Sequence, residues 1–501
     1  MWNVKQLKTF TGVIVVFAMT MMMFTAPAGA QVEEIEDSKI TAAVENDLLV
    51  SDKVNSQLVD VETVDGIVTL SGSVDNILAK DTAERIAQNV KGVRSVVNNV
   101  DVKPVIRSDD QIENDVEDAL LTDPATESWE IEADVKNGVV TLTGKVESWA
   151  EKQIAATVSK NVKGVKQIDN QIDIQYKTKR SDLEIKQEIQ RRLEFNTLID
   201  EGLIDISVED GAVKLTGAVG SAAEKRRAYN DSWVAGVKSV DDSELQVKWW
   251  AKDEMQRKSR YPDVADEEIR KAIEDALLYD PRVLSFKPKV EVDNGIVTLT
   301  GSVDGLRAKN AAEQDAKNTV GVFRVKNKLK VRPDMILEDE EISDEVSGAL
   351  RLDPIVEKYD IKVTTVNGKV YLNGRVDSFY EKARAEDVAS RQPGVIEVQN
   401  NLIVDYVWEP KPDWAIKEDV ESEFAWSLMV DGGDIDVSVE NGHVTLTGEV
   451  DAWSESQSAV KNAFEAGARS VDNELIIQYA PYTSSYYDAP YYRPYYYDYW
   501  Y

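Results

Sequence analysis

The sequence predicts an α+β fold, built as a tandem array of six small two-layer modules. Each module is predicted to run helix, strand, strand, helix, strand, with two helices on one face of a three-stranded sheet. Three patterns recur in this order along the 501 residues: an amphipathic helix, an alternating hairpin and an alanine-rich helix. Because the patterns repeat at near-constant spacing, internal repetition determines the domain count rather than chain length.

The hairpin is the clearest of the three patterns. In the stretch 290–303, V-E-V-D-N-G-I-V-T-L-T-G-S-V, apolar residues alternate with polar ones on both sides of Asn294-Gly295. Alternation predicts half-buried strands, and Asn-Gly predicts a type I′ turn between them. Successive turn glycines are 72, 73, 84, 73 and 74 residues apart, and they are Gly66, Gly138, Gly211, Gly295, Gly368 and Gly442.

Two helices flank each hairpin. The first carries apolar residues four apart, as in Ile269, Ile273 and Leu277, so that one stripe faces the sheet. The second is rich in alanine and ends at a glycine, which suits a left-handed helix stop. A third strand follows, as in 96–102.

These patterns predict repeats at 37–103, 109–175, 181–247, 265–332, 339–405 and 412–478. A chain of about 60 residues buries only ~60% of its unfolded surface, so a single repeat has a marginal core. We therefore expect contacts between repeats to add stability.

The two ends of the chain differ from the repeats. Residues 1–30 combine Lys5 and Lys8, an apolar run and the small residues Ala28-Gly29-Ala30, which predicts a cleaved signal peptide; an uncleaved anchor is the alternative. No later segment is apolar enough to span a membrane. Export without any cysteine indicates the periplasm or cell envelope of a bacterium. Residues 479–501 form a tyrosine-rich tail that is predicted to be disordered, or to adhere to membranes or partners.

The charge of the chain limits its partners. The net charge of −33 argues against nucleic-acid binding and weakens attraction to anionic lipid. One region differs in charge, because the stretch from Lys248 to Pro262 contains five basic residues and only two acidic ones. This insert, 248–264, is predicted either to bind anionic lipid or to dock on a neighbouring acidic repeat, or else to link repeats by packing its tryptophans on repeat 3 or 4. Its candidate contacts are Trp249, Trp250, Lys252, Arg257 and Lys258.

Catalytic patterns are missing from the sequence. The single histidine, His443, stands beside a turn glycine and does not recur, so we interpret it as a surface substitution. Without cysteine, the usual zinc sites and thiol triads are excluded, and no phosphate-binding loop is present. The sequence therefore predicts no catalytic site, no metal site and no cofactor.

Together the patterns resemble the BON domain family. The resemblance rests on V-x-L-x-G-x-V after each turn, as in Val297-Leu299-Gly301-Val303, then the alanine-rich helix, G-V and V-x-N-x-L-x-V. The resemblance covers nearly all of 37–477. Among BON proteins, the chain is similar to the osmotically inducible periplasmic protein Y family. The resemblance implies exported envelope proteins that bind phospholipid surfaces or act in osmotic stress and envelope maintenance, usually with two repeats.

The strand glycines of this motif are predicted to be structural, with close approach of a ligand as the alternative. They are Gly72, Gly144, Gly217, Gly301, Gly374 and Gly448.

The residue that starts each second helix is the other recurrent candidate. Trp149, Phe379 and Trp453 are predicted to contact lipid or a partner; the alternative is a local contact that orients the helix.

Two functions follow. The first is a non-catalytic envelope protein that binds a membrane surface or envelope partners through repeated modules. The second is a stress-type periplasmic chaperone for unfolded exported proteins.

Overall fold

The computed structural model describes residues 35–51, 53–123, 125–126, 130–177, 179–251, 264–283, 288–333, 336–405 and 411–477. Several predictions lie outside these residues. They are the signal peptide, the tyrosine-rich tail, and Lys252, Arg257 and Lys258 of the insert.

The first three repeats have the predicted order of elements. Repeat 1 contains α1 (Asp37–Val50), β1 (Val59–Val64), β2 (Ile67–Val74), α2 (Ile77–Asn89), β3 (Ser95–Asn98) and β4 (Asp101–Val102). Repeat 2 contains α3 (Asp109–Thr122), β5 (Ile131–Lys136), β6 (Val139–Val146), α4 (Trp149–Lys160), β7 (Gln167–Asn170) and β8 (Asp173–Ile174). Repeat 3 contains α5 (Asp182–Phe195), β9 (Ile204–Glu209), β10 (Ala212–Val219), α6 (Ala222–Asp231) and β11 (Ser239–Val247).

The last three repeats follow the same order. Repeat 4 contains α7 (Asp266–Tyr279), β12 (Lys289–Asp293), β13 (Ile296–Thr300), β14 (Ser302–Val303), α8 (Leu306–Lys317), β15 (Arg324–Asn327) and β16 (Lys330–Val331). Repeat 5 contains α9 (Asp339–Leu352), β17 (Lys362–Val366), β18 (Lys369–Asn373), β19 (Arg375–Val376), α10 (Phe379–Ser390), β20 (Glu397–Asn400) and β21 (Ile403–Val404). Repeat 6 contains α11 (Asp413–Trp426), β22 (Ile435–Glu440), β23 (His443–Val450), α12 (Trp453–Glu465) and β24 (Ser470–Ile477).

Each repeat has a core between its helices and one face of its sheet. In repeat 1, β2 pairs antiparallel with β1 and parallel with β3. The apolar stripe of α1, including Ile40 and Val44, packs with Ala83 of α2 against Val68 and Leu70 of β2. Both helices therefore cover the same face of the sheet, and the predicted two-layer α+β array is confirmed.

The hairpin turn has the predicted backbone and a contact that the sequence analysis missed. Asp65 and Gly66 have φ of 52° and 71°, as a type I′ turn requires. The Asp37 carboxylate at the start of α1 accepts hydrogen bonds of 2.8 Å from the N–H groups of both turn residues. The aspartates that bind their own turns in the same way are Asp109, Asp182, Asp266, Asp339 and Asp413. An aspartate 29 residues before every turn glycine was the signal in the sequence.

The strand glycine approaches the protein's own backbone. Gly72 has a φ of 102°, and a Cβ built there would lie 2.1 Å from the carbonyl oxygen of Leu58. Gly301 differs, because its φ is 115° but the nearest atom to a built Cβ is 3.9 Å away. The close approach is therefore between neighbouring segments of the hairpin, and repeat 4 lacks it.

The third strand is divided in repeat 1, where a continuous strand over 96–102 was predicted. It splits into β3 and β4 at Asn98, whose side chain bonds locally. Its Nδ2 donates to the carbonyl of Lys80 at 2.9 Å, and its Oδ1 accepts from the N–H of Val100 at 3.3 Å. The bend turns Val100, 1% exposed, into the core.

Backbone hydrogen bonds join repeats that are distant in the sequence. Repeat 1 pairs with repeat 6, where the Lys91 N–H donates to the carbonyl of Trp426 at 3.0 Å. Repeat 2 pairs with repeat 5 through the Lys163 N–H and the carbonyl of Leu352 at 2.8 Å. Repeat 3 pairs with repeat 4 through the Thr197 N–H and the carbonyl of Asn318 at 3.0 Å. Each pairing joins the end of a first helix to the end of a second helix.

Within each half of the chain, the repeats contact one another in a cycle. The residue that starts one second helix packs on the next repeat of the cycle. The six residues, for repeats 1 to 6, are Ile77, Trp149, Ala222, Leu306, Phe379 and Trp453. Ile77 packs into a core that repeats 2 and 5 share, and Ala222 packs into the core of repeat 1. Leu306 packs on the joined core of repeats 2 and 5. The cycles are therefore 1, 2, 3 and 4, 5, 6.

Candidate binding surfaces

The aromatic residues that start the second helices lie at contacts between repeats. Trp149 stacks on Trp233 of repeat 3, with ring centroids 4.3 Å apart and planes within 8°. Phe379 contacts Phe464 of repeat 6 at 5.3 Å. The ring of Trp453 lies 4.8 Å from the Lys317 ammonium of repeat 4. All three side chains are half-buried, and their role as lipid contacts stays a prediction.

The insert tryptophans follow directly on repeat 3. Trp249–Ala251 form one turn of 3₁₀-helix, and Ala251 is fully buried. The Lys91 ammonium of repeat 1 lies 4.7 Å from the ring centroid of Trp249, within range of a cation–π interaction. The start of the insert thus contacts the repeat next to repeat 3 in the cycle. Trp250 is half-buried, and lipid binding by this insert also stays a prediction.

Other apolar side chains point outward and were not singled out in the sequence. Trp414 and Leu183, each the second residue of a first helix, are 70% and 65% exposed. They occupy the same position in repeats 6 and 3, where repeats 2 and 4 carry Asp110 and Glu267. The signal was an apolar residue directly after the turn-binding aspartate. Outward-facing aromatic and aliphatic side chains are the chemistry that a membrane interface or a protein partner accepts.

A buried ion pair within repeat 5 places Arg384 against repeat 2. The Arg384 guanidinium donates to the Asp353 carboxylate at 2.6 and 2.8 Å, and both side chains are at most 5% exposed. Its Nη2 also donates to Asn161 of repeat 2 at 2.7 Å. Burial opposes the charged form, but the carboxylates of Asp353 and then Asp387 raise the pKa of Arg384 above its ordinary value. The arginine therefore stays charged and joins the two repeats.

A carboxyl pair lies where repeat 1 meets repeat 6. A side-chain hydrogen bond joins Asp47 and Glu423. Burial, followed by the nearby Glu465, raises the pKa of Asp47 to about 7. Burial, followed by Asp47 itself, raises the pKa of Glu423 to about 9. Glu465 is held ionised by Lys461 and Lys53, which lower its pKa, so the pair keeps a proton near neutral pH.

A cavity of about 280 Å³ lies between repeats 2, 3, 4 and 5. The second helices of all four repeats and the first helices of repeats 3 and 4 line it. Six arginines and six carboxyl groups are on its walls, beside Trp149, Trp233, Phe195 and Tyr279. Burial, followed by the neighbouring Asp280, raises the pKa of Asp315 well above its ordinary value.

Among the residues that the structure describes, no group of three or more histidine, cysteine, aspartate or glutamate side chains is placed to hold a metal ion. Over the same residues, no helix has the length and apolar content needed to cross a membrane.

Comparison with known proteins identifies the repeated module. The model of the family described as "BON domain" matches residues 36–104, 108–176, 181–248, 265–333, 338–406 and 412–479. Osmotically-inducible protein Y of Escherichia coli (strain K12) is 33% identical over 199 residues, which cover 38% of this chain and 92% of that protein. Outer membrane lipoprotein DolP of Haemophilus influenzae is 32% identical over 140 residues, 27% of this chain and 72% of that protein.

One solved structure that matches is the C-terminal domain of CdsD, a structural protein of the type III secretion system of Chlamydia trachomatis. The match covers 43% of this chain and 99% of the CdsD chain. Its identity is 16% and its TM-score is 0.12, too low to bear on the fold.

Proposed function

Because the chain belongs to the BON domain family, we propose that it is an exported, non-catalytic protein of a bacterial envelope, and that it holds a membrane surface or an envelope partner. The family match over six repeats carries this proposal. One relative supports an envelope location by its name, as an outer membrane lipoprotein, and the name of the other, an osmotically-inducible protein, agrees with a role in osmotic stress. The signal-like residues 1–30 agree with export.

The contacts between repeats favour the outward faces as the binding surface. The starts of the second helices are engaged with neighbouring repeats, so binding through Trp149 or Phe379 requires those contacts to open. Trp414 and Leu183 need no such opening, because they are exposed on the first helices. Where both side chains contact the same surface, the two contacts together raise the overall affinity without a stronger single contact.

Flotation with lipid vesicles tests the membrane part of the proposal. The mature chain is mixed at low salt with zwitterionic vesicles and with vesicles of increasing anionic content. We expect flotation to weaken as anionic lipid increases, because the protein carries a net charge of −33. The Trp414→Ala, Leu183→Ala double variant should lose most of the flotation. Asp110→Ala, at the same helix position in repeat 2, is the matched control and should float like the parent chain.

Three further variants locate the contact. The pair Trp249→Ala, Trp250→Ala tests the insert, truncation after Ile477 tests the tail, and Trp149→Ala tests a residue at a repeat contact. Loss of flotation in only one of them assigns membrane binding to that segment. If no vesicle composition floats the chain, membrane binding is rejected. Suppressed aggregation of an unfolded client protein in the same preparation then favours the chaperone.

A further inference from the structure

The third strand of repeat 4 carries a row of basic side chains at every second position. This basic row consists of Arg324, Lys326, Lys328, Lys330 and Arg332. At the same positions of its third strand, repeat 2 has Gln167, Asp169, Gln171, Asp173 and Gln175. The third strand of every other repeat contains at most one basic residue. The basic row is therefore specific to repeat 4 and is not required by the shared fold.

All five side chains of the basic row lie on the face of the sheet that the helices do not cover. The residues between them, such as Val325, Leu329 and Val331, pack on the core of repeat 4, and all five basic residues are exposed. The segment follows the central strand throughout, since β15 pairs with β13, the Lys328 N–H donates to the carbonyl of Leu299 at 2.9 Å, and β16 pairs with β14. Alternate residues of a strand are about 6.6 Å apart, so the row places five cations along a line of about 26 Å.

The protein does not neutralise these charges itself. Within the part of the chain that the structure describes, none of the five basic side chains forms an ion pair. Glu291 lies on the same face, in register with Thr298 and Lys326, but its carboxylate pairs with Lys289. Grouped cations create a local positive potential, and salt screens the more distant acidic residues beyond about 8–10 Å. The basic row therefore attracts an anionic ligand even though the whole chain is acidic.

The strand that carries the row is also open along one side. The strand order is β12, β13, β15, so β15 has a neighbouring strand on one side only. Its other side offers backbone hydrogen-bonding groups to an extended peptide, which adds a strand to the sheet. Such a peptide repeats the side chains of one face at the same spacing of about 6.6 Å as the row. Basic residues on an edge strand also deter unwanted pairing, but the same edges of repeats 2 and 5 have neutral and acidic residues, so protection alone does not require five cations.

We propose that the open edge of β15 and the basic row bind an extended acidic segment of another envelope protein, with aspartate or glutamate at alternate positions. The backbone of the segment pairs with β15, and its carboxylates lie beside Arg324, Lys326 and Lys328. The inference rests on the partner-binding part of the proposed function, but it uses a different surface from Trp414 and Leu183. Flotation on vesicles and binding of an acidic peptide therefore succeed or fail independently.

Synthetic peptides test the charge of the ligand. The mature chain is titrated at low salt with a fluorescent peptide of five Glu-Thr repeats, and binding is followed by anisotropy. We expect a dissociation constant below about 100 μM that rises at least about tenfold in roughly 0.5 M NaCl. A peptide of five Lys-Thr repeats should not bind. Absence of Glu-Thr binding up to about 1 mM, or equal binding of the Lys-Thr peptide, overturns the inference.

Methylation of the peptide backbone tests the added strand. One form of the Glu-Thr peptide is N-methylated at every glutamate and another at every threonine, so each form loses the N–H groups of one edge and keeps its charge. Only one edge of the peptide faces β15. One form should therefore bind like the unmethylated peptide, and the other should bind at least about tenfold more weakly. If both forms bind like the unmethylated peptide, no strand is added and the inference is wrong.

Charge reversal assigns the contact to the basic row. The Lys326→Glu, Lys328→Glu double variant should bind the Glu-Thr peptide about tenfold or more weakly, because two attractions become repulsions. The Lys136→Glu, Lys362→Glu variant is the matched control, since it changes the net charge equally at exposed strand positions of repeats 2 and 5. It should keep the affinity within about twofold, because these positions are outside the row.

Two outcomes assign the basic row to another occupant. Equal peptide binding by the two double variants shows that the peptide contacts a different surface. Flotation on anionic vesicles, or formation of a dimer, that is lost only in the Lys326→Glu, Lys328→Glu variant assigns the row to lipid or to a second copy of the chain. Either result without binding of the Glu-Thr peptide overturns the inference.

Discussion

Replacing the strand glycine by alanine should be far more damaging in repeat 1 than in repeat 4. Gly72 and Gly301 occupy the same motif position and both have positive φ, 102° and 115°. The space around them differs. The built Cβ lies 2.1 Å from the Leu58 carbonyl oxygen at Gly72, and no atom comes nearer than 3.9 Å at Gly301. The pair therefore separates backbone strain from steric overlap.

The magnitudes follow from these distances. An alanine in a left-handed conformation costs roughly 1–2 kcal/mol, and both variants bear this cost. At Gly72 the carbonyl must also retreat by more than 1 Å to reach ordinary contact at 3.4 Å. Such overpacking adds about 1–3 kcal/mol. We expect Gly72→Ala to lower the free energy of unfolding by about 2–5 kcal/mol, and Gly301→Ala by about 1–2 kcal/mol.

Urea unfolding and hydrogen exchange measure the difference. Exchange of hairpin peptides spanning 59–74 and 289–303 reports each repeat separately, which matters because six repeats need not unfold together. Gly348→Ala is the control, since Gly348 lies within α9 without positive φ and its built Cβ meets nothing closer than 3.9 Å. Gly348→Ala should raise the free energy of unfolding by about 0.5–1 kcal/mol, because alanine favours the helix more than glycine does. If the Gly72 and Gly301 variants differ by less than about 0.5 kcal/mol, the close approach at Leu58 has no energetic weight.

Three further predictions concern the contacts that hold the repeats. Arg384→Gln leaves the buried Asp353 carboxylate without its cation and should lower the free energy of unfolding in urea by about 3–5 kcal/mol. Arg375→Gln breaks an ion pair whose side chains are 67% and 48% exposed, and it should lower that free energy by less than about 1 kcal/mol. Asp109→Ala removes both hydrogen bonds to its hairpin turn and should lower the free energy of opening of 131–146, measured by hydrogen exchange, by about 1–3 kcal/mol. Asp110→Ala, at an exposed position, is the control and should leave this exchange unchanged. The third follows from the raised pKa values of Asp47 and Glu423. The folded state holds more protons than the unfolded chain, so the stability of the contact between repeats 1 and 6 should be full below the ordinary carboxyl range and fall as pH rises through about 7 and about 9. Glu423→Gln should flatten this dependence between pH 6 and 9, and an unchanged slope in urea midpoints would reject the pair as its source.

Within a repeat, the sequence determined most of what the structure contains. The helices, the hairpin and its turn are encoded by local periodicity and by Asn-Gly or Asp-Gly, so neighbouring residues suffice to specify them. The family resemblance depends on the same local patterns and is confirmed by the match over all six repeats. The break at Asn98 escaped prediction because it depends on bonds from the Asn98 side chain to Lys80 of the preceding helix and to Val100, which apolar alternation does not encode.

The arrangement of the repeats was decided only by tertiary structure. The pairings of 1 with 6, 2 with 5 and 3 with 4 rest on residues that differ between repeats, such as Lys53 with Glu465, separated by 412 positions. Local patterns are nearly the same in all six modules, so they carry no information on which module meets which. That choice comes from long-range complementarity of side chains, which also places the half-buried Trp149 in a ring stack between repeats.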